Sequence, residues 1–209
     1  YSRGDGPPLT VEEANAAAPF LPQLPPVVLS GQLAPPDDPE ILKDRNVLPA
    51  HWPLRFNQAV NFGVRCFNTE SCNIIFDGLA FDRPKPIRFI GNPYSPISIR
   101  NWNATQSSHS FDDPVRVSWR SLDGAEHRAV IDLTEIFEDR QVLHVVPREE
   151  VKLLNEGRYG HVPGILVEVN DRKIHVYMRS YIPTRHLQRG ERPLSDYRSD
   201  LILARSYHF

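Results

Sequence analysis

Ile165-Leu-Val-Glu-Val-Asn170, Asp171-Arg172 and Lys173-Ile-His-Val-Tyr-Met-Arg-Ser180 follow one another in the chain. Two β-prone runs flank a polar dipeptide, which is the signature of a hairpin. Side chains alternate across a strand, so Ile174, Val176 and Met178 should share a face with Val167 and Val169. His175, Tyr177 and Arg179 should share the other face. Val115-Arg-Val-Ser-Trp-Arg120 repeats the pattern, placing Val115, Val117 and Trp119 together. Asp123-Gly124 then marks a turn, and a return strand from about His127 to Leu133 groups Ala129, Ile131 and Leu133.

Upstream, Asn61-Phe-Gly-Val-Arg-Cys-Phe67 and Cys72-Asn-Ile-Ile-Phe-Asp77 are short β-prone runs with turn chemistry at Asn68-Thr-Glu-Ser71. Weaker strand signals cover 87–90, 97–101, 142–146 and 201–207. From His51 onward helix signals are few: Thr134-Glu-Ile-Phe-Glu-Asp139 and residues 148–154. The rhythm of alternating strands and helices is absent. The expected fold is therefore mainly β, with antiparallel sheets that are sandwich-like or strongly curved, and a few short helices.

The 209 residues carry a net charge of -2, with 40% hydrophobic and 24% charged residues. Those values exclude a collagen, a coiled coil and a fully disordered chain. No apolar run is long enough for a membrane helix. The charge balance disfavours binding driven by nucleic-acid phosphates alone. Eleven of the 20 prolines lie in the first 53 residues. Proline fixes φ and lacks a backbone donor, so this segment reads as an extended arm, residues 1–53, ahead of a β-rich domain over 54–209. Thr10 and Glu13 form a capping box for one short helix over 11–18. Phe20, Leu21, Leu24, Val27, Val28 and Leu29 give the arm apolar residues with which to pack onto the domain. The chain starts at Tyr1 and reads as processed or trimmed; a removed signal peptide and an arbitrary boundary explain that equally well.

Cys66 and Cys72 flank the predicted turn at Asn68–Ser71. A hairpin mouth there would bring their α-carbons within disulfide range, about 5.5 Å. A disulfide is favoured and implies an oxidising compartment; two reduced, buried thiols are the alternative. Two cysteines are too few for a structural zinc site unless histidines join them.

The motif search yields no nucleophile elbow, P-loop, zinc-protease helix or dinucleotide fingerprint. No two of the eight histidines lie three or four residues apart. Ser108-His109-Ser110 reads as a polar loop. Asp37-Asp38 and Asp112-Asp113 offer carboxylates for acid–base work or calcium, but they also fit turn chemistry. Asn103-Ala-Thr105 is a glycosylation sequon, meaningful in a eukaryotic secretory protein. No catalytic residue, metal ligand or cofactor is expected.

Asn92 to Asp113 is long for a connection and contains Tyr94, Trp102 and the Asp112-Asp113 pair. Long loops are commonly functional, and aromatic anchors with polar neighbours suit protein interfaces. Tyr94, Trp102, Asp112 and Asp113 are thus the candidate partner-binding residues. Packing of Tyr94 and Trp102 beneath the loop is the alternative.

Several short runs resemble a known group. They are Pro53-Leu-Arg-Phe56, Cys66-Phe-Asn-Thr-Glu-Ser-Cys72, Phe76-Asp-Gly78, Val117-Ser-Trp-Arg-Ser-Leu-Asp-Gly124, Glu168-Val-Asn-Asp-Arg172, Val176-Tyr-Met-Arg179 and Ile182-Pro-Thr184. Together they resemble the periplasmic immunity lipoproteins encoded beside type VI secretion phospholipase effectors, over residues 53–209. The resemblance implies a periplasmic address, a disulfide, no active site and one large partner, the cognate phospholipase or lipase. It also implies a lipid anchor upstream of Tyr1. The resulting expectation is an immunity protein that occludes its toxin's active site. A secreted hydrolase with a triad assembled from distant residues, and a periplasmic small-ligand carrier, are the rival readings.

Overall fold

The computed structural model describes residues 27–29, 52–57, 59–83, 94–95, 102–152, 162–188 and 196–209. The expected helix over 11–18 and strands over 87–90 and 97–101 lie outside them. Among the described residues the chain forms β1 (Val27–Leu29), β2 (Ala59–Phe67), β3 (Thr69–Phe76), β4 (Leu79–Arg83), β5 (Thr105–Ser110) and β6 (Val115–Ser121). It continues with β7 (Glu126–Ile131), helix α1 (Leu133–Ile136), a 3-10 turn (Arg148–Glu150), β8 (Gly164–Asn170), β9 (Lys173–Arg179), β10 (Ile182–Pro183), β11 (Tyr197–Arg198) and β12 (Leu201–His208). The protein is mainly β, as its alternation indicates.

Two sheets face each other. One has six strands in the order β1-β12-β9-β8-β2-β5, and the other has four, β4-β3-β6-β7. The four-stranded sheet is wholly antiparallel. The larger sheet is mixed, because β2 runs parallel to β8 and β1 parallel to β12. Val27–Leu29 thereby pairs with Leu201–Leu203 at the sheet's edge. Both hairpins read from alternation are present. Ile165, Val167 and Val169 pair with Met178, Val176 and Ile174, and all six are buried in one core cluster. Val115, Val117 and Trp119 are buried, while Arg116, Ser118 and Arg120 between them are exposed.

The core lies between the sheets. Phe62, Val64 and Cys66 of β2 meet Cys72, Ile74 and Phe76 of β3, together with Val115, Val117 and Trp119. Phe62 and Phe76 bring their ring centroids to 4.3 Å across the interface. Fully burying such a side chain stabilises the fold by about 1.5–3 kcal/mol, so this interface dominates stability. Leu54 and Phe56 close one end. Phe56 donates its N–H to Arg140 O at 3.0 Å, and Val142 donates to Leu54 O at 2.8 Å. That pairing, with one bridge between Arg55 and Gln141, takes the place of the strand expected over 142–146.

Three expectations need correction. Residues 61–67 and 72–77 do not form a hairpin: β2 and β3 belong to different sheets. Asn68 turns the corner at φ 51°, a left-handed conformation that asparagine tolerates better than most residues. Each strand carries an apolar face, and placing the two in opposite sheets buries both faces against the same core. Second, Asn92–Asp113 is not all loop, since Thr105–Ser110 pairs with β2 as an edge strand. Third, the helix begins at Leu133, because the Asp132 carboxylate accepts from Thr134 N and Glu135 N and fixes the start.

The outer side of the six-stranded sheet is covered as well. Phe67, Leu166, Tyr177 and Leu201 form a second buried cluster with Tyr94 and Trp102. All seven residues of β8 are consequently buried. The backbone at Asn103 and Ala104 crosses close over two glycines. A Cβ on Gly63 would stand 2.9 Å from Ala104 Cα, and one on Gly164 would stand 3.0 Å from Ala104 Cβ.

Candidate binding surface

Cys66 and Cys72 are disulfide-bonded, with α-carbons 6.5 Å apart. The bond ties the two sheets together at the Asn68 corner and does not close a hairpin. It lies within the core beside Trp119 and gives the sandwich a covalent hinge pin.

Tyr94 and Trp102 are only 3% exposed each. They are not surface anchors, because both rings are committed to the cluster above β8. Tyr94 also donates its hydroxyl to Glu168 Oε1. Glu168 is itself buried and accepts from Tyr177 at 3.2 Å and from Asn170 Nδ2 at 3.4 Å. Asn170 Nδ2 donates to the Tyr94 hydroxyl at 2.6 Å, and Asn170 Oδ1 accepts from Asn68 at 2.8 Å. His175 Nδ1 lies 3.4 Å from Glu168 Oε1. Arg179 donates to Trp102 O at 2.8 Å and to Asn103 Oδ1 at 2.9 Å. Burial, reinforced by the Glu168 charge, pushes both phenols well above the usual tyrosine range. Burial lowers the Arg179 guanidinium to about 10, which leaves it charged at neutral pH. The face bearing His175, Tyr177 and Arg179 is therefore a latch that fastens Tyr94, Trp102 and Asn103 to the sheet.

Asp112 and Asp113 are exposed at the β5–β6 turn. Asp112 lies 3.3 Å from Arg140 Nη2, and that guanidinium also sits over the Phe111 ring. The four expected partner-binding residues thus divide between a buried cluster and a separate acidic turn.

The described residues also bring a serine, an aspartate and a histidine together within one hairpin. Ser121 Oγ lies 3.0 Å from His127 Nε2 and 2.5 Å from Asp123 Oδ1. Ser121-x-Asp123…His127 carried this signal across the predicted turn, and sequence reading alone passed it over. A nucleophilic triad places the acid on the imidazole, so that it orients the base. Here Asp123 accepts from the serine itself and from Ala125 N at 3.1 Å, and it pairs with Arg172. Hydrogen bonds from Ser121, Ala125 and Arg172 hold the Asp123 carboxyl well below the usual range. Ser121 is fully buried, and His127 is stacked on Trp119 with centroids 4.9 Å apart. The arrangement locks the hairpin turn. His109, from Ser108-His109-Ser110, is buried in a box of Phe62, Phe76 and Phe81 with Nδ1 3.3 Å from Asp77. No serine completes that dyad among the described residues.

On the outer face of the four-stranded sheet Ile75, Arg116, Ser118, Arg120, Arg128 and Val130 are exposed. Strand register sets its side chains in rows: Ile75–Arg116–Val130, Asn73–Ser118–Arg128, and Ser71–Arg120–Glu126. Arg120 pairs with Glu126 at 2.7 Å, while Arg116 and Arg128 make no ion pair among the described residues. Ile75 and Val130 are exposed aliphatics on either side of Arg116. A groove of about 420 Å³ runs over Ser71, Asn73 and Ser118 between Arg120 and Arg128. Chemically, the face offers cationic forks, hydroxyl and amide donors, and apolar flanks.

Neither family models, curated proteins nor solved structures show a match to this chain. Among the described residues no group of three histidine, cysteine, aspartate or glutamate side chains is placed to hold a metal ion. No helix among them is long and apolar enough to cross a membrane.

Proposed function

We propose that this chain is a binding protein of an oxidising compartment, and specifically an immunity protein that neutralises a phospholipase or lipase toxin by blocking its active site. The observation that carries the binding reading is the exposed arginine-bearing face of a disulfide-tied sandwich. Flat sheet faces that combine arginine with exposed aliphatics suit protein partners, because arginine supplies both hydrogen bonds and packing. The disulfide supports a periplasmic or other oxidising address. The choice of toxin class rests on the sequence resemblance alone.

In this reading the sandwich acts as a plug. The fold holds its contact face in place before binding, so little conformational entropy is lost on association. Sealing the cleft excludes the lipid, and the protein itself performs no chemistry.

The test is co-expression with a candidate phospholipase or lipase toxin, both directed to the periplasm of a sensitive bacterium. Growth restored by this chain, together with a stable complex of the two purified proteins, is the expected result. A hydrolase reading would rest on Ser121 and His127. Ester hydrolysis by the purified protein that disappears in Ser121→Ala would replace the immunity reading.

A further inference from the structure

We infer that β7 is a docking edge to which the partner adds an extended acidic segment as a further strand. The inference rests on the binding reading and specifies its mode. β7 is the last strand of the four-stranded sheet. Ser121 N donates to Ala125 O at 3.0 Å, which fixes the phase of the ladder. Hydrogen-bonded pairs recur every second residue in an antiparallel pair, so His127, Ala129 and Ile131 direct their backbone groups at β6. Glu126, Arg128 and Val130 direct their N–H and C=O groups away from it. No described strand lies on that side.

Native edges are normally blunted by short length, by charge, by bulges or by a covering segment. β7 has six residues, regular register with β6 throughout, and Val130 at 68% exposure. Phe209 packs on its inner side, at Trp119 and His127. An open edge beside an exposed aliphatic is the geometry used in strand addition, where backbone bonds give affinity and side chains give selectivity.

Charge selects the occupant. An added strand would set its outward side chains beside Glu126, Arg128 and Val130, next to the second row containing Arg116, Ser118 and Arg120. A carboxylate opposite Arg128 gains a charge-assisted, bidentate partner. An aliphatic residue opposite Val130 covers its exposed surface. The occupant is therefore an extended segment that carries an acidic and an aliphatic residue two positions apart, on one face. A basic segment would meet Arg116 and Arg128 as like charges.

The experiment uses an acetylated heptapeptide, Thr-Val-Thr-Glu-Thr-Val-Thr in sequence, which sets valine and glutamate two positions apart on one face, with a lysine-for-glutamate peptide as control. Backbone amide exchange is followed by NMR on the whole chain. The acidic peptide should slow exchange at Glu126, Arg128 and Val130 by about tenfold or more. Val130→Pro removes one outward donor without touching the ladder to β6, and should abolish the protection. Arg128→Glu should weaken peptide binding by about tenfold or more, and thermal melting checks that both variants fold. Absence of binding, equal binding of the lysine peptide, or binding without slowed exchange at those amides overturns the inference. A concentration-dependent dimer lost in Val130→Pro would place a second copy of this chain on the edge and overturn it too. So would sedimentation with phosphatidylglycerol vesicles that Arg128→Glu removes. The peptide titration uses no toxin, so it can fail while the co-expression test succeeds, and the reverse.

Discussion

Cys66 and Cys72 lie six residues apart and yet belong to opposite sheets of the sandwich. The bond holds the sheets at the β2–β3 corner, where the chain passes directly from one to the other. A loop this small restricts the unfolded chain only modestly, contributing about 2 kcal/mol. Cys66→Ala with Cys72→Ala should lower the urea midpoint by that equivalent while the cooperative transition is kept. Mass analysis of unreduced, denatured protein should show no alkylated thiol. Two alkylated thiols would remove the disulfide and the oxidising address with it.

Gly63 admits the Ala104 backbone onto the sheet. Gly63→Ala places a methyl 2.9 Å from Ala104 Cα, so the crossing segment must shift. Overpacking of this kind costs about 1–3 kcal/mol. The expected signature is a lowered melting temperature together with changed Trp102 fluorescence, since Trp102 is stacked on Phe67 in the covered cluster. A variant with wild-type melting and emission would show that the segment does not bear on Gly63.

Tyr94 and Tyr177 donate to one buried carboxylate. Tyr94→Phe removes a donor from Glu168 and leaves that oxygen less well satisfied, at a cost of about 1–3 kcal/mol. Both phenols have folded pKa values above their unfolded ones. The unfolded chain therefore releases protons above about pH 10 that the native state keeps, and stability falls as pH rises through that range. Alkaline spectrophotometric titration should show Tyr94 and Tyr177 resisting ionisation until the protein unfolds. Smooth titration of all seven tyrosines would contradict the buried network.

His144 carries a pH dependence of the opposite sense. It is buried edge-on against Trp52, and burial lowers its pKa from 6.5 to about 4, with the Val146 backbone opposing the shift. The native state holds fewer protons than the unfolded state between those values. Its full stability is present above pH 6.5 and is lost progressively toward pH 4. The shift corresponds to about 3 kcal/mol. His144→Phe should flatten the unfolding free energy across that window, measured by denaturant titration at each pH. An unchanged profile would place the acid sensitivity on other groups.

The hairpins were legible because their alternation is local. Val115, Val117 and Trp119, or Ile174, Val176 and Met178, declare a buried face within seven residues. The parallel pairing of Asn61 with Gly164 was not legible, since nothing near either residue encodes a contact about one hundred positions away. Glu168 illustrates the same limit. In Val-Glu-Val it reads as an outward polar residue, and it does point outward from the core. Tyr94 and Trp102, from far upstream, then cover it. The disulfide was anticipated from its spacing, although the hairpin invoked for it is a corner between sheets. The arginine face escaped notice because Arg116, Arg120 and Arg128 are unremarkable until the β6–β7 register sets them side by side.

The two sheets differ in how much change they tolerate. Every side chain of β8 is enclosed, so a substitution there disturbs neighbours on one side or the other. Along β6 and β7, every second position is exposed on the outer face. Substitutions at Ser118 or Arg128 should therefore act nearly independently of folding. A lineage of such proteins could rewrite that face repeatedly, keeping pace with a changing counterpart while the sandwich beneath it stays the same.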